Sequence, residues 1–415
     1  MSYQINSSTK PKGLENVGAT CYMNAVLQCF YHVRPLSTEF VNYNFPPNML
    51  QQIPMTMAYL DVVRELSNNK GNAARPILFK NIISVNPLFT GVQANDSKDL
   101  ILYFLEQIDS ELTMVKYFTQ NKQLTNTIRY INEIFKNQPP ELQYAINIFM
   151  THHNSIFADL FYGFTSQTIQ CSNINCRQKL TNYQIFNFII FPIENVYNST
   201  KGKNKKSNDE YKKSISPYNM RPAGKPSYTA YTTNMTYGSF YNDANKKSDM
   251  YSKFNYNIYE TYDRYDNGKK SVTLIDCFEN EINTVEFKGD NQIYCNRCNK
   301  LLDAKGENRI FSSPHVLILI LNRGKANKFD CDVDFEENLN IEKYVDSKQC
   351  PTKYKLIGVI SHFGESSMSG HFIADCRHFD GKWYTFNDSM VTGPNNKYTK
   401  KGIPYILFYE NENYV

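Results

Sequence analysis

Residues 13–28 read Gly-Leu-Glu-Asn-Val-Gly-Ala-Thr-Cys-Tyr-Met-Asn-Ala-Val-Leu-Gln. The glycines and the asparagine before Cys21 predict a tight loop, and the apolar spacing after it predicts a helix that begins at Cys21. Unpaired N–H groups and the positive dipole end at a helix start stabilise a thiolate. The same N–H groups, joined by the side chain of Asn16, can stabilise an oxyanion. A lone cysteine is usually a packing residue, but this loop-to-helix setting predicts a nucleophile.

A second stretch, near the other end of the chain, offers a base. A strand-like run over residues 354–361 leads into a loop bounded by His362 and His371, and later strands end at Asn387 and Asp388. Such a hairpin brings His371 close to Asn387 and Asp388. A thiol protease needs an imidazole to accept the thiol proton and a side-chain acceptor to hold the tautomer of that imidazole.

The composition limits the class of protein. The chain has 415 residues, 41% of them hydrophobic, so it can bury a large core. No run of about 18 apolar residues predicts a membrane span, and the polar first residues lack the apolar core of a signal peptide. The net charge of +5 comes from residues 196–270, which hold 14 Lys and Arg against 7 Asp and Glu. We therefore expect no membrane partner and no nucleic-acid partner.

The same residues, 196–270, form a biased insert. They contain 12 Lys, 12 Tyr, 10 Asn and 8 Ser but no Leu, so they can bury little aliphatic surface and are predicted to be disordered. A long surface loop adds little closure entropy, which favours a tolerated insertion. A docking or localisation arm that becomes ordered on a partner is the alternative.

Helical periodicity precedes strand-like runs along the chain. Amphipathic spacing predicts a helix from Asp96 to Leu112, another over residues 124–135, and one opened by Pro139 and Pro140. Runs rich in β-branched and aromatic residues then predict strands at residues 185–191, 316–321, 356–360, 372–375, 383–386 and 405–409. Helices first and strands later indicate the α+β class.

Two pairs of closely spaced cysteines predict a metal site. Cys295 and Cys298 have the spacing C-x2-C, and Cys171 and Cys176 have the spacing C-x4-C. Zinc binds four thiolates in a tetrahedron, and two such knuckles supply them; four free thiols are the alternative. The cysteine density is too low for a secreted disulfide scaffold. We therefore expect a reducing compartment, the cytoplasm or the nucleus.

The two stretches that carry the chemistry resemble the cysteine and histidine boxes of the ubiquitin-specific protease family. The first matches G-L-x-N-x-G-x-T-C-Y-M-N-x-x-L-Q, and the second matches H-x-G-x-x-x-x-x-G-H followed by G-K-W and F-N-D. The resemblance implies a papain-like fold with thumb, palm and fingers, in one catalytic domain over residues 12–412. The thumb would cover about residues 12–155, and the fingers and palm about 156–412.

The resemblance also implies roles for individual residues. Cys21 would be the nucleophile, His371 the general base and later the general acid, and Asn387 the residue that orients the imidazole. Asn16 matches the oxyanion-hole position, and Asp388 matches a supporting position. An asparagine at the third position of the triad orients the imidazole but adds no charge, so the thiolate–imidazolium pair has one stabilising interaction fewer.

Further positions match the family around the substrate channel. His362 matches a supporting position, and Gly370 with Phe372 would wall a channel that only glycines pass. Phe372 stands where the family usually has tyrosine. The match around Asp96 is weaker, and two interpretations stay open: a pair with an arginine of the ubiquitin tail, or a helix cap.

The implied partner is ubiquitin joined to other proteins, cut after its C-terminal glycine. The four cysteines would hold a structural zinc ion in the fingers. Three alternatives stay open: a protease for a ubiquitin-like modifier, a ubiquitin-binding scaffold without catalysis, and a zinc-knuckle adaptor.

Overall fold

The structure is a computed structural model that describes residues 5–115, 139–153, 155–203, 270–282, 284–324, 329–348, 350–366 and 369–412. The predicted helix over residues 124–135 lies outside the described residues, and so does the insert from residue 204 to residue 269. The described elements belong to a unit that spans residues 1–201 and 268–415, except for the last two residues of one helix.

Helices dominate the first part of the chain. They are α1 Cys21–Tyr31, α2 Arg34–Val41, α3 Pro54–Ser67, α4 Ile77–Ile83, α5 Ser97–Met114, α6 Pro140–His152 and α7 Ile156–Phe161, and the short strands β1 Gly13–Leu14 and β2 Ala73–Ala74 pair in parallel. The helices predicted to begin near Cys21, Asp96 and Pro140 are confirmed.

Strands dominate the second part. They are β3 Gly163–Cys171, β4 Lys179–Phe186, β5 Ile189–Pro192, β6 Ser271–Thr273, β7 Thr284–Phe287, β8 Ile293–Cys295, β9 Lys300–Leu302, β10 Ala304–Ser312, β11 Val316–Asn322, β12 Asp332–Asp334, β13 Asn338–Asn340, β14 Lys353–Ser366, β15 Ser369–Arg377, β16 Trp383–Asn387, β17 Met390–Asn395 and β18 Ile403–Asn411. Two helices lie among them, α8 Ile193–Lys203 and α9 Leu274–Glu281. The α+β prediction is confirmed.

An eight-stranded sheet forms the base on which α1 lies. Its order is β17-β16-β15-β14-β18-β11-β5, with β13 paired to β14, and only the β11–β5 pair is parallel. All eleven residues of α1 are buried. Near its C-terminal end the ring of Phe30 packs edge-on against Phe104 and Phe408, with centroids 4.9 Å and 5.4 Å away. The helix is therefore fixed between the helical layer and the sheet.

A smaller sheet has the strand order β4-β3-β10-β7. The β8–β9 hairpin forms a separate pair of strands and lies between β7 and β10 in the sequence. The strand predicted over residues 185–191 is wrong as a single element. It is two strands, because β4 ends at Phe186 in the smaller sheet and β5 begins at Ile189 in the larger one.

The flanks of the insert meet at one aromatic residue. The ring of Tyr197 in α8 lies 5.4 Å from the Lys201 ammonium and 5.6 Å from that of Lys270, where the described chain resumes. The helix itself continues to Lys203, so the first eight residues of the predicted insert are helical. Among the described residues, no helix has the length and apolar character needed to cross a membrane.

Candidate active site

Cys21 is the first residue of α1, and its side chain is 5% exposed. The N-cap residue Thr20 forms no side-chain cap bond, so the first N–H groups of the helix can bind a ligand. The side-chain oxygen of Asn16 accepts from the N–H of Thr20 at 3.0 Å and from that of Gly18 at 3.2 Å. These bonds close the predicted loop and place the thiol at the helix start.

His371 lies between Cys21 and Asn387. Its Nε2 is 2.6 Å from the side-chain oxygen of Asn387 in β16. An amide oxygen only accepts, so Nε2 carries a hydrogen and Nδ1 is the nitrogen that can exchange a proton. Cys21 is the second hydrogen-bond partner of this imidazole.

The surroundings of His371 favour its charged form. Burial lowers the pKa of His371, but the hydrogen bond and the charge of Cys21 act in the opposite direction. With the bond to Asn387 and the charge of Asp388 they raise the pKa of His371 to about 9. The imidazole is therefore protonated at neutral pH, as a thiolate–imidazolium pair requires.

Asp388 joins the β16–β17 turn to the loop before α1. It is a non-glycine residue in the left-handed region, with φ of 51°. Its Oδ2 accepts from the side-chain amide of Asn16 at 2.9 Å, and its main-chain oxygen accepts from Leu14 N–H at 2.9 Å. A Cβ at Gly13 would lie 2.6 Å from that main-chain oxygen, so the loop needs glycine there. One N–H of the Asn16 side-chain amide donates to Asp388, and its second N–H can donate to an oxyanion.

His362 is a buried neutral imidazole under the site. It is 1% exposed, and its Nε2 has no hydrogen-bond partner among the described residues. Burial and the charges of His371 and Arg323 lower the pKa of His362 to about 4. It therefore acts as an uncharged packing surface beside the charged His371.

Gly370 and Phe372 lie against His362. A Cβ at Gly370 would be 2.3 Å from His362 Nε2 and 2.4 Å from the main-chain oxygen of Phe363, so only glycine fits. The Phe372 ring, 4.7 Å from that of His362 by centroids, is 2% exposed. These contacts leave no room for a side chain at residue 370, and a role of Gly370 and Phe372 in a substrate channel stays a prediction.

Asp96 is the N-cap of α5. Its carboxylate accepts from Lys98 N–H at 2.9 Å and from the Tyr405 hydroxyl at 2.9 Å. Burial and the charge of Asp99 raise the pKa of Asp96, and the Lys98 and Tyr405 bonds oppose this. The geometry supports the helix-cap interpretation, and a pair with a substrate arginine stays a prediction.

Asn24, which lies three residues after Cys21, was not predicted as a site residue from the sequence. Its amide nitrogen donates to the other carboxylate oxygen of Asp388 at 2.8 Å. It also lies 3.3 Å and 3.2 Å from the main-chain oxygens of Leu14 and Glu15. The signal was available, because Asn24 and Gln28 are amide residues on a helix whose other residues are mostly apolar.

The same face of α1 continues with Gln28 and His32. The Gln28 amide donates to the Lys12 main-chain oxygen at 2.9 Å. His32 Nε2 is 2.9 Å from His378 Nδ1, and His378 Nε2 is 2.7 Å from the main-chain oxygen of Thr9. Polar residues at i, i+4 and i+8 thus fix the segment that leads to the nucleophile.

The four-cysteine cluster lies at the tips of the smaller sheet and of the β8–β9 hairpin. Its sulfur atoms all lie within 4.8 Å of one another, and they belong to Cys171, Cys176, Cys295 and Cys298. Each pair is followed by a residue in the left-handed region, Arg177 with φ of 44° and Asn299 with φ of 54°. Two similar turns thus present four soft donors to one point, which fits a metal that prefers thiolates.

Comparisons with known proteins identify the family of the chain. A sequence model of the family described as "Ubiquitin carboxyl-terminal hydrolase" matches residues 12–409. Ubiquitin carboxyl-terminal hydrolase 10 of Saccharomyces cerevisiae is 24% identical over 93% of this chain and 45% of the relative. Ubiquitin carboxyl-terminal hydrolase 21 of Homo sapiens is 22% identical over 96% of this chain and 61% of the relative. The chain thus spans about half the length of these curated relatives.

Solved structures share the fold. A chain in the SAGA Ubp8/Sgf11/Sus1/Sgf73 DUB module bound to ubiquitin aldehyde matches with a TM-score of 0.61 and 19% identity, over 99% of this chain and 71% of that chain. A second structure of the module, bound to monoubiquitin, matches with a TM-score of 0.58 and 20% identity over the same shares.

Proposed function

The chain belongs to the ubiquitin carboxyl-terminal hydrolase family, and on that premise we propose that it is a thiol-dependent deubiquitinase. It cleaves the isopeptide or peptide bond after the C-terminal glycine of ubiquitin. The observation that carries the proposal is the arrangement of His371, which contacts Cys21 and lies 2.6 Å from Asn387. Ubiquitin and ubiquitinated proteins are therefore the proposed partners.

Acylation begins with the Cys21 thiolate. It attacks the carbonyl carbon of the terminal glycine, and the oxyanion lies against the N–H groups at the start of α1 and the free N–H of Asn16. His371 Nδ1 then gives its proton to the leaving lysine amine. Ubiquitin remains joined to the sulfur as a thioester.

Deacylation reverses the proton transfer. The neutral His371 accepts a proton from the water that attacks the thioester carbon, and the C–S bond then breaks, which releases the ubiquitin carboxylate and returns the Cys21 thiolate. Asn387 keeps Nε2–H as a donor in both steps, so Nδ1 always faces the sulfur. The charge of Asp388 supplies the electrostatic support that the neutral Asn387 lacks.

The remaining assignments follow the family pattern. We propose that Gly370 and Phe372 wall the channel for the two tail glycines, with His362 supporting them, and that Asp96 lies near the ubiquitin tail. The helical part up to about residue 155 is the proposed thumb, and the later sheets are the fingers and palm. The four-cysteine cluster would hold zinc, which supplies a rigid structural cross-link and no catalytic chemistry. A thiolate nucleophile and such a cluster suit a reducing compartment, the cytoplasm or the nucleus.

A ubiquitin carrying a C-terminal electrophile tests the proposal. Intact mass measurement should show that the wild type gains one ubiquitin and that Cys21→Ala gains none. The control Cys350→Ala removes a thiol outside the active site and the four-cysteine cluster, and it should also gain one ubiquitin. Equal labelling of Cys21→Ala would refute the nucleophile. Probes built on ubiquitin-like modifiers are tested in parallel. Faster labelling of the wild type by one of these probes would make that modifier the substrate in place of ubiquitin. Binding without labelling would favour a scaffold.

A further inference from the structure

The helix that carries Cys21 also carries an amide that contacts the opposite half of the active centre. The Asn24 nitrogen lies 2.8 Å from Asp388 Oδ1, and Asp388 Oδ2 lies 2.9 Å from the nitrogen of Asn16. Each carboxylate oxygen thus has a donor from the Cys21 side of the site. The three side chains make a chain of hydrogen bonds from α1 through Asp388 to the predicted oxyanion donor.

The orientation of the Asn24 amide follows from its neighbours. Its nitrogen faces a carboxylate and two main-chain oxygens, all of them acceptors, so the NH2 group must point toward them. Its Oδ1 is buried and has no partner among the described residues. A buried acceptor without a partner destabilises a fold, so packing alone does not explain an asparagine that is 2% exposed.

Asp388 needs such a clamp. Its backbone has φ of 51°, a conformation that is unfavourable for a residue with a side chain. Its charge raises the pKa of the neighbouring His371. Without the Asn24 donor, one carboxylate oxygen loses its hydrogen bond, and the side chain can turn away from Asn16 and His371.

We propose that Asn24 is a positioning residue that acts through Asp388. It holds the carboxylate where it orients the Asn16 amide and supports the imidazolium of His371. This inference rests on the proposed hydrolase function and adds a residue to it. Asn24 itself touches neither substrate nor the reacting atoms.

Gln28 supplies a matched control on the same helix. It lies one turn after Asn24 and is 1% exposed. Its amide nitrogen donates to the main-chain oxygen of Lys12, and its Oε1 has no partner in the part of the chain that the structure describes. It therefore shares the burial and the contact with the segment before α1, but it does not touch Asp388. Loss of Gln28 tests packing, and loss of Asn24 tests packing together with the clamp.

The experiment compares Asn24→Ala, Gln28→Ala, Asp388→Ala and Asn24→Ala/Asp388→Ala in the full chain, with a fluorogenic ubiquitin C-terminal amide. We expect both single amide variants to lower Tm. Asn24→Ala should lower kcat about 10- to 100-fold with KM within about twofold, and Gln28→Ala should keep kcat within about twofold. The double variant should be no slower than Asp388→Ala, because Asn24 acts through Asp388. The alkaline limb of kcat should move to lower pH in Asn24→Ala.

Two results would overturn the inference: a kcat loss in Asn24→Ala no larger than in Gln28→Ala, or losses from Asn24→Ala and Asp388→Ala that multiply. Should Asn24→Ala fail to fold, Asn24→Leu fills a similar volume without a donor and is judged by the same comparison. Failure of the proposed function gives a different pattern, since the wild type would then be as inactive as Cys21→Ala.

Discussion

At the scale of single residues, His371 shows how a neutral partner can support a charged one. Asn387 contributes an acceptor without a charge, and Cys21 and Asp388 are the groups whose electrostatic interaction raises the pKa of the imidazole. An acceptor fixes the tautomer, and the charges fix the protonation state. The two tasks are therefore divided between neighbouring residues.

The pH dependence of the rate follows from this environment. The raised pKa of His371, about 9, predicts an alkaline limb of kcat/KM near pH 9, because the imidazolium proton is needed by the leaving amine. Asn387→Ala should move the limb to lower pH and reduce kcat about 10- to 100-fold, and the exposed Asn395→Ala should change neither. Since this pKa exceeds that of an unfolded histidine, about 6.5, the proton stabilises the fold fully below about pH 6.5. That contribution is lost as pH rises through about 9. A limb that stays in place in Asn387→Ala would contradict the assignment.

Gly370 carries a steric prediction. In Gly370→Ala the new Cβ would meet His362 Nε2 at 2.3 Å and main-chain oxygen at 2.4 Å, so β15 must shift and carry His371 with it. We expect kcat/KM to fall at least about 100-fold. Gly324→Ala is the control for backbone strain without a steric clash, because its φ of 75° is unfavourable for alanine but its Cβ would meet nothing within 4 Å. Equal activity of both variants would show that the residues around Gly370 can shift without displacing His371.

At the scale of elements, the four-cysteine cluster joins the β3–β4 turn to the β8–β9 hairpin. We expect about one zinc per chain by metal analysis, and loss of that zinc with a lower Tm in Cys298→Ser. Cys350→Ser is the control and should keep the metal. Because the cluster lies outside the catalytic residues, KM for the ubiquitin substrate should rise more than kcat falls. A full complement of zinc in Cys298→Ser would exclude Cys298 as a ligand.

The local sequence pattern predicted the helices of the core, but it missed the point at which the chain passes from one sheet to the other. The spacing of apolar residues predicted α5, because that helix packs one stripe on the core, and it also predicted α1, whose residues are all buried. The run over residues 185–191 looked like one strand, yet it crosses from one sheet to the other, and composition does not record a change of sheet. Asn24 was missed for a related reason, since its partner Asp388 lies 364 positions away in the chain.

At the scale of the whole molecule, the insert can be tested by removal. Tyr197 contacts both Lys201 and Lys270, so a short linker can join the flanks. We expect replacement of residues 204–269 by about eight Gly and Ser residues to leave Tm unchanged or higher, since a shorter loop saves about 2 kcal/mol of closure entropy. kcat/KM for a simple ubiquitin substrate should stay within about twofold.

A shuffled insert of the same composition is the control for that deletion. If the insert is only a tolerated loop, the shuffled and deleted chains should both behave like the wild type. A loss of activity or localisation in both variants would instead support the docking arm.

The order of the strands also fixes when activity can arise. β18, residues 403–411, lies between β14 and β11 and completes the base on which α1 rests. A ribosome therefore makes the thiol of Cys21 first and its imidazole partner hundreds of codons later, and the sheet closes only with the last strand. We therefore expect a chain that ends before residue 403 to lack the proposed protease activity, because α1 would rest on an incomplete sheet.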